Sequence, residues 1–91
     1  MLEYHAAYFK QDDGWYLVEV TDFPGVSSQG KTLRSAQNMI RDALKMTAAC
    51  RFEQGRTLPV PNAKARPTLG AKPDFVEAIP LQTRFTTPAV K

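Results

Sequence analysis

The chain has 91 residues, a length that suits one domain rather than two. Apolar residues make up 43% of it and charged residues 23%, which is typical of a folded globular domain. No apolar run reaches the roughly 18 residues that a membrane span needs, and the N-terminus lacks the pattern of a signal peptide. We therefore expect a cytoplasmic protein. A single cysteine, Cys50, excludes an internal disulfide, and a single histidine leaves no Cys/His zinc cluster.

The formal net charge of +3 is divided unevenly along the chain. Residues 1–30 hold one lysine and five acids, a balance of −4, whereas residues 31–91 hold eleven Lys and Arg and four acids, a balance of +7. Such a division is typical of an acidic surface for a basic partner, or of a basic surface for nucleic acid. A solvated surface with uneven charge explains it equally well, and these interpretations stay open.

Two strands joined by a tight turn are predicted first. Residues 2–10 and 15–21 are rich in aromatic and β-branched residues, as strands are. Between them, Asp13-Gly14 predicts a hairpin, because glycine adopts the positive φ that a tight turn needs. Asp22-Phe23-Pro24-Gly25 predicts a second turn, and residues 26–29 are long enough for a short third strand.

A long helix is predicted next. Thr32 is a good N-cap residue, and residues 33–54 contain neither glycine nor proline. A core-facing stripe recurs at helical spacing, formed by Leu33, Ala36, Ile40, Ala43, Leu44 and Thr47. We expect Met39, Met46 and Cys50 to widen this buried face.

The remainder of the chain changes character after Gly55, a natural helix stop. Residues 55–73 contain four of the seven prolines and predict an extended loop, residues 74–81 a last strand, and residues 82–91 a tail. The order β-β-β-α-β predicts one α+β domain over residues 1–91, with a core in residues 1–54. In it a three-stranded antiparallel meander carries the helix on one face. The other face must meet the Pro-rich loop, a second copy or a partner.

Several segments resemble the HicB family of antitoxins. The resemblance is carried by Tyr4, by Asp12-Asp13-Gly14-Trp15-Tyr16, by Val20-Thr21-Asp22-Phe23-Pro24-Gly25, by Gln29-Gly30-Lys31-Thr32-Leu33 with Ala36, and by Leu58-Pro59-Val60-Pro61. It covers roughly residues 2–61. It implies a partial RNase H-like fold without RNase H chemistry. It also implies binding to a HicA toxin, a small basic RNA-cleaving protein whose active surface the antitoxin covers.

Three departures from the family pattern bear on these expectations. The first helical turn reads Arg34-Ser35 where the family usually has two glutamates, and Val26 stands in place of a usual cysteine. About ten residues follow the last strand, whereas a helix-turn-helix needs about 20 and a ribbon-helix-helix roughly 40. We therefore do not expect DNA binding through the usual C-terminal domain.

No catalytic, metal or cofactor site is predicted. Asp12, Asp13 and Asp22 could hold Mg²⁺ only if they converged, and all three lie in turn sequences that favour aspartate for backbone reasons. His5 is expected to be a partly buried, hydrogen-bonded side chain rather than a base. Cys50 is expected to be a small core residue rather than a nucleophile.

Protein binding is the function that we expect. Aromatic residues are common at interface hot spots, and acids would complement a basic toxin. The partner-binding residues predicted on this basis are Tyr4, Tyr8, Asp12, Asp13, Trp15 and Asp22. Each aromatic residue could equally fill a small core.

The alternative function is a stand-alone homo-oligomer that binds nucleic acid. A phosphate-binding stripe would combine helix and loop residues, namely Arg34, Arg41, Lys45, Arg56, Lys64 and Arg66, with Lys72 beside them. Self-association through an edge strand or a helix is expected under either function, as a dimer or a higher oligomer.

Overall fold

The fold is a four-stranded antiparallel sheet with one helix on one face, seen in a computed structural model that describes residues 2–81. The elements in chain order are β1 (Leu2–Lys10), β2 (Tyr16–Val20), β3 (Ser27–Gly30), α1 (Leu33–Glu53) and β4 (Phe75–Leu81). The strand order across the sheet is β3-β2-β1-β4. The predicted α+β class and the β-β-β-α-β order are confirmed. The predicted tail, residues 82–91, lies outside the described residues.

The turns follow the predicted chemistry. Gly14 and Gly25 have φ values of 91° and 90°, in the left-handed region that glycine tolerates best. In the first turn, Asp13 Oδ1 accepts a hydrogen bond from Trp15 N at 3.0 Å. The aspartate side chain therefore stabilises the backbone of the turn, as predicted. The hairpin therefore sets the β1–β2 register that pairs Tyr8 with Val18.

The core lies between α1 and one face of the sheet. Alternate side chains of β1 and β2 point towards the helix. Residues of α1 at helical spacing pack against them, and all of these side chains are almost completely buried. These core residues are Tyr4, Ala6, Tyr8, Val18 and Val20 from the strands, and Ala36, Ile40, Leu44 and Ala48 from the helix. The helix therefore covers the sheet face that carries Tyr4, Tyr8 and Val18. The periodicity of the sequence alone did not show which face this is.

The buried face of α1 is narrower than predicted. Met39 and Met46 are 49% and 72% exposed, and Cys50 is exposed as well, so the expectation that these three residues widen the core was wrong. A helix that packs against a single layer buries only one stripe, and its flanks stay in solvent. The predicted N-cap is confirmed, since Thr32 Oγ1 accepts a hydrogen bond from Ser35 N at 3.0 Å.

Strand β4 lies within the predicted residues 74–81. It continues through Pro80 to Leu81, and Pro80 pairs with Glu3 of β1. An edge strand tolerates proline because the missing N–H can face away from the ladder. The last strand is therefore the outer strand beside β1, at the opposite edge of the sheet from β3.

Residues 55–74 form an extended segment, here called the strap, that passes from the end of α1 over the second face of the sheet. Three hydrogen bonds anchor its middle part, residues 59–68: Tyr4 Oη to Pro59 O at 2.6 Å, Asn62 N to Asp22 Oδ2 at 2.9 Å, and Thr68 N to Glu19 Oε2 at 2.9 Å. Glu19 points away from the helix, because its neighbours Val18 and Val20 point into the core. Of the three predicted partners for this face, the structure shows the strap.

Candidate partner-binding surface

Asp22 lies in the turn after β2 and accepts three hydrogen bonds. Its side chain is 1% exposed, and its two oxygens accept hydrogen bonds from His5 N at 2.9 Å, His5 Nδ1 at 2.7 Å and Asn62 N at 2.9 Å. A buried carboxylate needs such partners to offset its lost hydration. Asp22 therefore joins β1, the turn and the strap, an arrangement here called the Asp22 clasp. It offers nothing to a partner at the surface.

Tyr4 and Tyr8 are also internal. Both are fully buried on the helix side of β1. The Tyr4 ring lies 5.1 Å from that of Phe23, and Tyr8 stacks on Phe75 at 4.6 Å while its hydroxyl donates to Glu77 Oε1 at 2.8 Å. Burial raises the pKa of both tyrosines, and for Tyr8 the hydrogen bond and the charge of Glu77 raise the pKa further.

The six predicted partner-binding residues therefore do not form one surface. Tyr4, Tyr8 and Asp22 are buried. The prediction that these three residues contact a partner was therefore wrong. The physical reason is that a period of two separates the faces of a strand without showing which face the helix covers. We keep Asp12, Asp13 and Trp15 as predicted contacts.

The end of the sheet that carries the β1–β2 turn brings these three together. Asp12 and Asp13 are exposed, and Trp15 is half-buried with Lys31 Nζ at 5.8 Å from the centre of its ring. Trp15 is thus a partly exposed aromatic residue close in sequence to two exposed acids. This combination of an aromatic anchor and nearby charge is typical of protein interfaces.

Sequence reasoning missed two residues at the same end. Asp74 Oδ2 accepts a hydrogen bond from Lys10 N at 2.6 Å, which places this exposed acid beside the start of the hairpin. Phe75 follows it and is 36% exposed despite its stacking on Tyr8. We call Asp12, Asp13, Trp15, Asp74 and Phe75 the hairpin-end surface. Only the register of β4 against β1 could have found the last two, and the sequence carries no local signal for that register.

Comparison with known families decides what kind of protein carries this surface. A family model for the HicB-like antitoxin of bacterial toxin–antitoxin systems matches residues 3–70, well over half of the chain. The chain belongs to this antitoxin family. A comparison with curated proteins gave no match.

Two crystal structures from Burkholderia pseudomallei resemble this HicB-like chain. The N-terminal domain of antitoxin HicB has a TM-score of 0.68 and 26% identity, and the match covers 89% of this chain and 99% of that one. Antitoxin HicB itself has a TM-score of 0.72 and 27% identity, with 92% of this chain and 64% of that one covered. The HicB-like chain thus spans somewhat less than two-thirds of the longer relative.

The predicted basic stripe is divided in the HicB-like fold. On α1, Arg41 Nη2 lies 3.3 Å from Glu77 Oε2 of β4, so part of the helix charge is neutralised. Arg34 and Lys45 are exposed on the helix side of the sheet, whereas Arg66 belongs to the part of the strap that crosses the second face. Arg56 lies at the end of α1, beside Gln54, and Lys64 follows on the strap. Helix and strap therefore do not present one continuous phosphate-binding surface.

The remaining predicted residues have simple placements. His5 is partly buried and hydrogen-bonded to Asp22, as expected, whereas Cys50 is exposed and its predicted core position was wrong. Within residues 2–81, no three side chains of the His, Cys, Asp and Glu types cluster as metal ligands would. Over the same residues, no helix combines the length and the apolar character that crossing a membrane requires.

Proposed function

We propose that this HicB-like chain neutralises a HicA-type RNA-cleaving toxin by covering the toxin's active surface. The observation that carries the proposal is the antitoxin family match over residues 3–70. The similarity of the fold to two HicB antitoxin structures supports it. Membership in a toxin–antitoxin family implies a toxin as partner, and a small basic toxin is the type that the HicB resemblance implies.

The hairpin-end surface is the contact region that we propose for the toxin. Asp12 and Asp13 are exposed and not absorbed by the core, unlike Asp22. Exposed acids accelerate encounter with a basic partner and disfavour acidic ones. Trp15, two residues after Asp13, and Phe75, at the same end of the sheet, supply partly exposed aromatic area, where a desolvated contact contributes most to affinity.

The test is capture of the toxin by the tagged full chain from its own host, with mass spectrometry of the eluate before and after nuclease treatment. We expect a small basic protein that stays bound after nuclease, and the eluted complex should cleave RNA only once the antitoxin is removed. Capture that disappears with nuclease would indicate nucleic-acid binding instead. Recovery of the bait alone would contradict the antitoxin proposal.

A further inference from the structure

The second face of the sheet carries a pocket beside the strap, here called the strap pocket. Its volume is about 320 Å³, at the lower end of the roughly 300–1,000 Å³ of small-ligand sites. It therefore has room for one long side chain rather than a large group. The pocket is lined by Leu17, Glu19 and Thr21 along β2 and its end, by residues 24–28, and by Thr68 and Leu69 of the strap.

The walls of the strap pocket are largely apolar. Leu17 points away from the helix, because its neighbour Val18 points into the core, and Leu69 lines the strap side of the pocket. Leu69 is 53% exposed, so its apolar area stays in water until another group covers it. Apolar walls of this kind suit the hydrocarbon stem of a long side chain, whose polar end then needs a partner of its own.

Glu19 supplies a negative charge to the same pocket. Among the described residues that line the pocket, Glu19 alone is charged. The ion pairs within residues 2–81 join His5 to Asp22 and Arg41 to Glu77, so no cation of this part of the chain pairs with Glu19. A carboxylate beside apolar walls keeps acceptor sites for a cation and lies in surroundings that strengthen the attraction.

The hydrogen bond from the strap decides which cation fits. Thr68 N lies 3.1 Å from Oε1 and 2.9 Å from Oε2 of Glu19, so this donor stands between the two oxygens. The two N–H groups of an arginine that binds a carboxylate in bidentate fashion would share that position. A lysine ammonium is a compact charge with rotatable donors and needs only one of the remaining lone pairs. The geometry therefore favours lysine over arginine.

We infer that the strap pocket takes a lysine side chain of a protein partner. The stem lies along Leu17 and Leu69, and the ammonium group donates to Glu19. The pocket begins two residues along the chain from Trp15, so it extends the hairpin-end surface along β2. The chemistry of the pocket stands by itself, whereas the identity of the partner, a basic toxin, rests on the proposed function.

The first test is a titration of the ¹⁵N-labelled full chain with the peptide acetyl-Ala-Lys-Ala-amide, followed by NMR. The amide of Thr68 reports on the site, because it is bonded to the Glu19 carboxylate. We expect a saturable shift of this amide with a Kd of about 1 mM, as for a ligand of this size. A peptide with norleucine, which keeps the four-carbon stem without the charge, should give no shift, and a peptide with arginine should bind more weakly.

Variants separate the charge from the fold. Glu19→Gln keeps an acceptor for Thr68 N and should lower the affinity for the lysine peptide about tenfold, whereas Glu53→Gln removes the same charge from α1, on the other face of the sheet, and should not. Leu69→Ser should weaken binding about threefold, and Val60→Ser, an exposed strap position outside the pocket, is its control. No saturable shift, equal binding of the norleucine peptide, tighter binding of the arginine peptide or unchanged affinity in Glu19→Gln would overturn the inference.

The captured toxin provides the second test. Glu19→Gln should lower its affinity about five- to tenfold, and Glu53→Gln less than twofold. If the host yields no toxin while the lysine peptide binds the wild type, the proposed function fails and the lysine pocket stands. If a toxin is captured with equal affinity by the wild type and Glu19→Gln, the proposed function stands and the pocket does not receive a lysine of the toxin.

Discussion

The Asp22 carboxylate accepts the backbone N–H of Asn62 at 2.9 Å, although forty residues separate the two in sequence. The same carboxylate holds the backbone and the ring of His5. One buried acid thus connects the first strand, the turn after β2 and the strap. The acids of the N-terminal part of the chain had indicated a surface for a basic partner. Asp22, one of these acids, instead joins parts of the fold by its hydrogen bonds.

Asp22→Ala should destabilise the fold by about 2–4 kcal/mol, because it leaves three donors without their charged acceptor in a buried site. Urea unfolding measures the loss. Asp13→Ala is the matched control, since Asp13 is exposed and its removal should cost less than about 1 kcal/mol. The Asn62 amide should also exchange faster with deuterium in Asp22→Ala. An unchanged exchange rate would show that the clasp does not hold the strap.

Raising the pH should weaken the fold through Tyr8. Burial, and then Glu77, raises the pKa of Tyr8 above its ordinary value of about 10, so the folded state keeps a proton that the unfolded state releases. The stabilisation is complete below about pH 10 and is lost as the pH rises towards the raised pKa. Urea midpoints at about pH 9 and about pH 11 should therefore fall more steeply in the wild type than in Tyr8→Phe. Parallel slopes would contradict this.

Gly30→Ala should cost about 1–3 kcal/mol through overpacking, since the added Cβ would meet the backbone of Ala36 rather than a movable side chain. The measurement is the urea midpoint, with Ser28→Ala on the same strand as the control. Ser28→Ala should stay within about 0.5 kcal/mol of the wild type. If the two variants were equally stable, the close contact between β3 and α1 would be disproved.

Reversing the acids of the hairpin end should weaken toxin binding. Asp12→Lys combined with Asp13→Lys should lower the affinity for the captured toxin about tenfold or more at low salt, chiefly through a slower association rate. Asp12→Asn with Asp13→Asn removes the charge but keeps the turn chemistry, and should give a smaller loss. Surface plasmon resonance at two salt concentrations separates these effects. Wild-type affinity in both double variants would remove the hairpin end from the interface.

Local chemistry made the order of elements predictable. Asp13-Gly14 and Pro24-Gly25 specify turns through glycine conformations that the structure adopts, and Thr32 begins the helix by accepting the N–H of Ser35. Each signal acts within a few residues. The ends of the strands were less predictable. Proline usually ends a strand, but β4 continues through Pro80 because it is an edge strand.

The site was less predictable because its contacts are distant in sequence. Tyr4 and Tyr8 looked like surface anchors, since alternation cannot say which face of β1 the helix covers. The positions of Asp74 and Phe75 depend on how β4 returns beside β1. The position of the strap depends on two hydrogen bonds, from Asn62 N to Asp22 and from Thr68 N to Glu19, whose partners are 40 and 49 residues apart in sequence. No local sequence pattern predicts such contacts.

The anchoring of the strap has a consequence for mutational tolerance. Between residues 59 and 68 the strap is held by the main-chain groups of Pro59, Asn62 and Thr68, whereas the rest of the domain contributes the side chains of Tyr4, Glu19 and Asp22. Side-chain substitutions between residues 59 and 68 that keep these backbone groups leave these three attachments intact, and substitutions of Tyr4, Glu19 or Asp22 do not. The outward chemistry of this loop can therefore diverge between relatives, from basic to neutral or acidic, while the domain beneath it keeps its shape.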